Sequence, residues 1–313
     1  MSASNPSQTW WAVARSEEVT SAKPMSVDIG DQPIVLWRDK HGITRALEDR
    51  CPHRRAPLSL GCVRESGWIQ CGYHGWTYDG ETGRLKEIPN MKDKQKFPPL
   101  YKATAFAVHE SGGYVRVCLD ATADPTEAQA LGPSTELPLS GTVHVALPHD
   151  QYIAALFDDP GIVLGIRGVR FTPYLMSELH VENGLLTMER SCQWQGLHWP
   201  APFSPEFPAT IVTSTHPVTG ETSLTLHDTA MNKLLSAVLA PVPAARGVTS
   251  VRWRATPGKS RRALSRLIPG ADPTLTVHPS IDAAALRTLK PSVSIHGADL
   301  RNQLIRKEAA VAA

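Results

Sequence analysis

The chain has 313 residues, with 32 basic and 30 acidic side chains and a formal charge of only +2. That length suits two modest domains, each able to bury its own core. The near-neutral balance, with no block of like charge, argues against nucleic acid or an anionic membrane as partner.

The start, MSASNPSQTWWAVARSEEV, lacks the basic opening and unbroken apolar core of a signal peptide, and no later stretch approaches the ~20 apolar residues of a membrane span. The expectation is therefore a cytoplasmic protein with no membrane partner. Five cysteines is an odd and low count. It argues against a disulfide framework and for metal or redox chemistry at some of them.

Taken in chain order, residues 1–8 read as a tail, and residues 9–120 as a small antiparallel β domain. Short β-like runs lie at Ile34–Trp37, Ile43–Leu47, Trp68–Gln70 and Tyr114–Val117, with turn signals at Asp79-Gly80 and Gly112-Gly113. Residues 121–140 shift to Ala, Pro, Ser and Thr, the character of a linker. Residues 141–313 read as a second, mixed α and β domain. It opens with a strand-like run at Thr142–Leu147 and a short helix at Gln151–Phe157, stopped by Asp159-Pro160. Strand-like runs come next at Ile162–Phe171, Leu185–Cys192, Leu224–His227 and Ser250–Ala255, and helical composition at Ile281–Leu289 and Ala298–Ala310.

One segment carries chemistry. In CPHRRAPLSLGCVRESGWIQCGYHGW, Cys51-x-His53 is followed after seventeen residues by Cys71-x-x-His74. Two loops thus each offer a thiolate and an imidazole. In a Rieske-type [2Fe-2S] centre two cysteines hold one iron and two histidines the other, and neutral imidazoles in place of thiolates raise the potential. Two Cys and two His also satisfy tetrahedral zinc, although this spacing is not a usual finger pattern. Around the ligands, Gly72 and Gly75 allow close backbone approach, Tyr73 and Trp76 can limit solvent, and Arg54 adjoins His53.

These stretches resemble the Rieske non-haem iron oxygenases, and among them the single-subunit demethylases and monooxygenases of the dicamba and vanillate type. Trp11-Ala12-Val13-Ala14, Cys51-Pro52-His53-Arg54, Ala56-Pro57-Leu58-Ser59, Cys71 to Trp76, Tyr78-Asp79-Gly80 and Gly112-Gly113-Tyr114-Val115 carry the resemblance. It implies an α+β chain: an all-β Rieske domain, then a helix-grip-like domain whose antiparallel sheet is covered by C-terminal helices. It also implies an electron-donating reductase or ferredoxin, a small aromatic or heterocyclic substrate, and head-to-tail trimers in which each cluster serves the neighbouring subunit. The disulfide of the respiratory Rieske branch is not implied, because Ala56 and Tyr73 stand where its cysteines would fall.

In that family the second domain holds a mononuclear iron on two histidines and a carboxylate. Here Asp159 matches the acid that bridges the cluster of one subunit to the iron of the next, but Ile162 and Arg167 stand at the two histidine positions. Isoleucine offers no lone pair and arginine remains a cation. The resemblance therefore carries a degenerate iron site, with Asp272 as a possible remnant of the carboxylate. His144 and His149 have His-x(4)-His spacing but precede Asp159, and Cys192 and His198 lie in SCQWQGLHWP, so neither pair matches the motif. Two readings result: an oxidoreductase working without the standard iron, or an electron-delivering subunit paired with an iron-bearing paralogue in a hetero-oligomer.

Overall fold

The computed structural model describes residues 9–91, 97, 99–128, 131, 138–194, 207–257 and 273–281. The chain divides into two compact units at about residue 130, with Val242–Arg246 returning to the first.

The first unit is all β among its described residues. Its strands are β1 (Trp11–Arg15), β2 (Met25–Ile29), β3 (Gln32–Arg38), β4 (Thr44–Glu48), β5 (Cys62–Val63), β6 (Ile69–Gln70), β7 (Thr77–Tyr78), β8 (Leu85–Glu87), β9 (Ala107–Ser111) and β10 (Tyr114–Cys118). They form three antiparallel sheets ordered β1-β10-β9, β2-β3-β4 and β5-β6-β7-β8. Strand β3 explains why the unit holds together. Its side chains alternate by pleat, and both faces are buried. Ile34 and Leu36 enter a core with Val13, Val115 and Val117. Val35 and Trp37 enter another with Leu58, Ile69, Tyr78, Cys51 and Cys71. Each such side chain stabilises the fold by roughly 1.5–3 kcal/mol. The second core is the floor on which both cysteine loops rest.

The second unit begins with β11 (Leu139–Val145), α1 (His149–Asp158), α2 (Pro160–Val163), β12 (Leu164–Ile166), β13 (Val169–Leu175) and β14 (His180–Glu182). It continues with β15 (Leu185–Trp194), β16 (Phe207–Thr215), β17 (Thr222–Asp228), β18 (Lys233–Ala244), β19 (Val248–Pro257) and β20 (Leu275–Val277). Among the described residues they build an eight-stranded antiparallel sheet, β11-β19-β18-β17-β16-β15-β13 with β14 on β15, and a separate pair β12-β20. Helix α1 covers the sheet with residues spaced three and four apart. Tyr152, Ala155 and Leu156 join Leu224, Leu226, Leu235 and Val251, and Ile153 and Phe157 meet Leu186 and Met188.

The α+β class read from the sequence holds, and several details differ. The run Ile162–Phe171 is not one strand. Pro160 has no N–H and starts a new helical turn capped by the Asp159 carboxylate, and Gly168, at φ +71°, separates β12 from β13. The strand placed at Thr142 starts at Leu139, inside the stretch read as linker. Strand β18 continues through Pro241 and Pro243, where Pro243 O accepts from Gly30 N at 2.8 Å within the first unit. The C-terminal helices expected at Ile281–Leu289 and Ala298–Ala310 lie outside the described residues beyond Ile281, as do residues 1–8. No helix among the described residues is long and apolar enough to cross a membrane.

The turn after β7 gives a test of the first unit. Burial alone would raise the Asp79 carboxyl, but bonds from the Thr82 N–H and hydroxyl and the nearby Lys86 ammonium outweigh it and hold it below 3.8. A lowered folded value stabilises above the unfolded pKa and is lost as pH falls through the folded one. Urea unfolding should therefore show stability dropping as pH falls below 3.8. Asp79→Ala, which leaves the Glu81 and Thr82 N–H groups without their acceptor, should cost about 1–3 kcal/mol at neutral pH and flatten that pH dependence.

Candidate cluster site

Strand β4 runs into the first cysteine loop, and β6 and β7 flank the second. The loops share one backbone design. Cys51 N donates to Ala56 O at 2.8 Å and Cys51 O accepts from Arg55 N at 2.7 Å. Cys71 N donates to Trp76 O at 2.8 Å and Cys71 O accepts from Gly75 N at 3.0 Å. In each loop the residue four beyond the cysteine is left-handed, Arg55 at φ +60° and Gly75 at φ +72°. At Gly75 a Cβ would also lie 2.8 Å from Pro89, so glycine is required there twice over. Gly72 has the other reason for glycine: a Cβ would meet Leu60 O at 2.8 Å.

The loops bring the four sequence-predicted donors together. Cys51 and Cys71 are buried neighbours close enough for their thiols to share a hydrogen bond. Burial pushes the Cys51 thiol up, opposed by donation from the Tyr78 hydroxyl, at 3.3 Å from the sulfur, and from the His53 N–H. The His53 and His74 rings lie 4.7 Å apart at 61°. His53 Nδ1 is buried with no hydrogen-bond partner, a cost that ligation to a metal would remove. Burial first, then the His74 and Arg54 charges, lowers the His53 pKa and favours the neutral imidazole a metal needs.

The expected surroundings divide by role. Trp76 stacks on His53 at 4.2 Å with 1° between the planes. Tyr73 leans on the His74 ring at 3.9 Å but stays 62% exposed, so it shields a single face rather than closing the site. Arg54 is exposed and acts through its charge. Sequence reasoning gave no role to Tyr78, fully buried behind Cys51, or to Tyr101, edge-on to Trp76 at 4.9 Å and 88°. Tyr78 lies within the Tyr78-Asp79-Gly80 motif, whereas Tyr101 carries no sequence signal.

The description of a Rieske [2Fe-2S] domain fits residues 9–98 of this chain. Residues 9–98 are a Rieske domain. Two soft thiolates and two imidazoles, one of them with an orphaned nitrogen, suit that cluster, and the zinc alternative gives way to it.

Curated relatives align with this domain and a little beyond. Protein TIC 55 of Arabidopsis thaliana is 34% identical over 118 residues, 38% of this chain and 22% of its own length. Pheophorbide a oxygenase of Oryza sativa subsp. japonica is 43% identical over 81 residues, 26% of this chain and 15% of its own. The vanillate O-demethylase oxygenase subunit of a Pseudomonas strain is 38% identical over 112 residues, 36% of this chain and 30% of its own. The matches thus span less than a third of these relatives. By structure, dicamba monooxygenase bound to dicamba superposes with a TM-score of 0.67 over 98% of this chain and 100% of its own, at 17% identity. NdmB of Pseudomonas putida CBB5 gives 0.62 over 96% and 90%, at 16% identity. At such identity the likeness establishes the fold alone, and that fold extends beyond the Rieske domain. The resemblance to Rieske non-haem iron oxygenases drawn from the motifs therefore stands.

In the second unit, Asp159 is exposed and its Oδ1 accepts from Gly161 N at 3.0 Å, capping α2. Ile162 packs, half-buried, against the main core of the unit. Arg167 is exposed, its backbone N bonded to Thr274 O. His144 is exposed on β11, while His149 opens α1 with Nε2 bonded to Thr219 O at 2.9 Å. Cys192 is buried beside Ala209 O, and burial pushes its thiol up to about 12. His278, just past β20, meets α2, with Nδ1 3.1 Å from Ile162 O. Asp272 and His198 lie outside the described residues. Among the described residues of this unit no three His, Cys, Asp or Glu side chains gather as a site for a metal ion.

The Tyr78 hydroxyl beside Cys51 sets a measurable property. A donor to a ligating sulfur favours the reduced, more negative cluster. Tyr78→Phe should keep the cluster and lower its one-electron potential by roughly 20–60 mV, the equivalent of one ordinary hydrogen bond. Potentiometry followed by EPR reads it, and an unchanged potential removes Tyr78 from the site.

Proposed function

We propose that Cys51, His53, Cys71 and His74 hold the [2Fe-2S] cluster, and that the protein is a Rieske oxygenase-like oxidoreductase that accepts electrons from a reductase or ferredoxin. The orphaned, buried Nδ1 of His53 beside two buried thiols is the observation that carries this reading. Once bound, the cluster supplies single-electron transfer at a potential raised by its two imidazoles. The surrounding chain keeps His53 neutral, donates to the Cys51 sulfur from Tyr78 and screens one imidazole face with Trp76.

The second unit, in this reading, lacks the mononuclear iron of the family at its usual place. Ile162 is packed against apolar side chains and Arg167 brings a positive charge, both adverse to a cation. A small aromatic or heterocyclic substrate, a homotrimer and a cytoplasmic location belong to the same reading, and rest on likeness to the dicamba and vanillate enzymes.

An intact set of cluster donors beside absent iron ligands favours a second reading. The chain can serve as the electron-delivering, non-catalytic subunit of a hetero-oligomer with an iron-bearing Rieske oxygenase paralogue. Asp159 separates its two jobs cleanly. Asn caps a helix as well as Asp but carries no charge, so Asp159→Asn preserves α2 while removing the carboxylate proposed to bridge cluster and neighbouring iron. Slower electron flow out of the cluster with unchanged stability supports the bridge.

Iron and acid-labile sulfide analysis of anaerobically purified protein should give two of each per chain. Ile162→His combined with Arg167→His should then bind a third iron. Three irons in the unaltered chain would place a second metal site that this reading denies. If the isolated chain turns over substrate with a donor, it is an enzyme in its own right; if turnover needs the paralogue, the subunit reading holds.

A further inference from the structure

The rings beside His53 form a chain of contacts that returns to its own starting point. His53, on the first loop, lies flat against Trp76, on the second, at 4.2 Å and 1°. Trp76 is met edge-on by Tyr101 at 4.9 Å and 88°, and Tyr101 stands edge-on to His53 as well, at 6.3 Å and 88°. Edge-to-face contacts at such distances are favourable and fix relative ring orientation.

The backbone beside Tyr101 is pinned to the strand that carries the first loop. Glu48 N donates to Thr104 O at 2.8 Å, Phe106 N donates to Ala46 O at 3.1 Å, and Leu47 bridges Ala105. Ala103 N donates to Gly83 O at 2.9 Å in the turn after β7. Residues 103–106 thus extend the sheet beside β4, and β4 leads into Cys51.

We infer that Tyr101 is a positioning residue for the cluster: its ring edge holds the Trp76 indole, and Trp76 in turn fixes the plane of the His53 imidazole. An imidazole tied to a metal through one nitrogen can still swing about that bond. Stacking on a broad face opposes the swing, provided the face is itself held. Trp76 is half-buried and hangs from a loop, so its indole needs the Tyr101 edge. His74 has a different support, since the Tyr73 ring that leans on it is 62% exposed. The two imidazoles are therefore unequal, with His53 constrained by a pinned aromatic pair and His74 by a ring open to solvent. The contact needs an aromatic edge at 101 and makes no use of the phenol hydroxyl.

This inference rests on the cluster reading above, and the two fail in different ways. Iron and sulfide analysis of the unaltered chain tests the cluster; Tyr101 variants of the full chain, loaded with cluster, test the positioning. In the reduced protein, Tyr101→Leu should change the nitrogen hyperfine couplings of one of the two histidines in pulsed EPR. It should also bleach in air about three- to tenfold faster, a modest loss for a residue acting through another. Tyr101→Phe should match the unaltered protein in both measurements. Trp76→Leu should shift the same histidine, and adding Tyr101→Leu to it should change less than Tyr101→Leu does alone, because Tyr101 acts mainly through Trp76. Unchanged couplings in Tyr101→Leu, altered couplings in Tyr101→Phe, or additive effects in the double variant would each overturn the inference. Should Tyr101→Leu fail to hold cluster at all, Tyr101→Met, which keeps bulk but has no ring edge, is read in the same two measurements: altered couplings beside an unaltered Tyr101→Phe support the inference, and unaltered couplings overturn it.

Discussion

Two short loops must hold four donors in one place, and the structure does so by using one backbone design twice. A cysteine N–H reaches the carbonyl five residues on, its carbonyl takes the N–H four residues on, and the residue at that fourth position turns left-handed. These bonds fix the direction of each thiol before any metal arrives. They also demand a rigid floor, because a loop of this kind has no packing of its own. The floor is the core built by Val35, Trp37, Leu58, Ile69 and Tyr78. Strand β3, buried on both faces, joins it to the other core of the unit.

Much of this was legible in the sequence, and the reason is local. Cys-x-His and Cys-x-x-His place donors within a few residues of one another, so spacing alone carries the geometry. Ile34–Trp37 announces itself as an unbroken apolar run, and Tyr114–Val117 as an aromatic and β-branched run interrupted by Arg116. Where composition misleads, adjacent caps and turns or distant contacts decide the outcome. Ile162–Phe171 looks like one strand by composition, yet Pro160 and the Asp159 cap impose a helical turn on its first residues and Gly168 a reversal in its middle. Strand β18 contains two prolines, which argue against a strand by composition, and its final residues pair elsewhere. Tyr101 gives no sign, since a lone tyrosine in a stretch of loop is defined only by the side chains that fold against it.

In the second unit, the side chains at the proposed iron positions take part in the packing and capping of the fold. Isoleucine at 162 packs, half-buried, against the main apolar cluster of the unit. The cap at Asp159 keeps the break between α1 and α2 in place whichever side chains stand at 162 and 167.

The return of Val242–Arg246 to the first unit bears on the order in which the protein is made. Val242 is buried with Trp11, Val27 and Ile29, and the Gly30 N–H has its carbonyl only once Pro243 is in place. During synthesis the cysteine loops leave the ribosome long before that segment does. The β domain that carries them therefore waits, one core position and one backbone bond short of completion, until nearly all of the large sheet has been translated. The unit that carries the cysteine loops is thus completed by a strand encoded almost two hundred residues downstream of them.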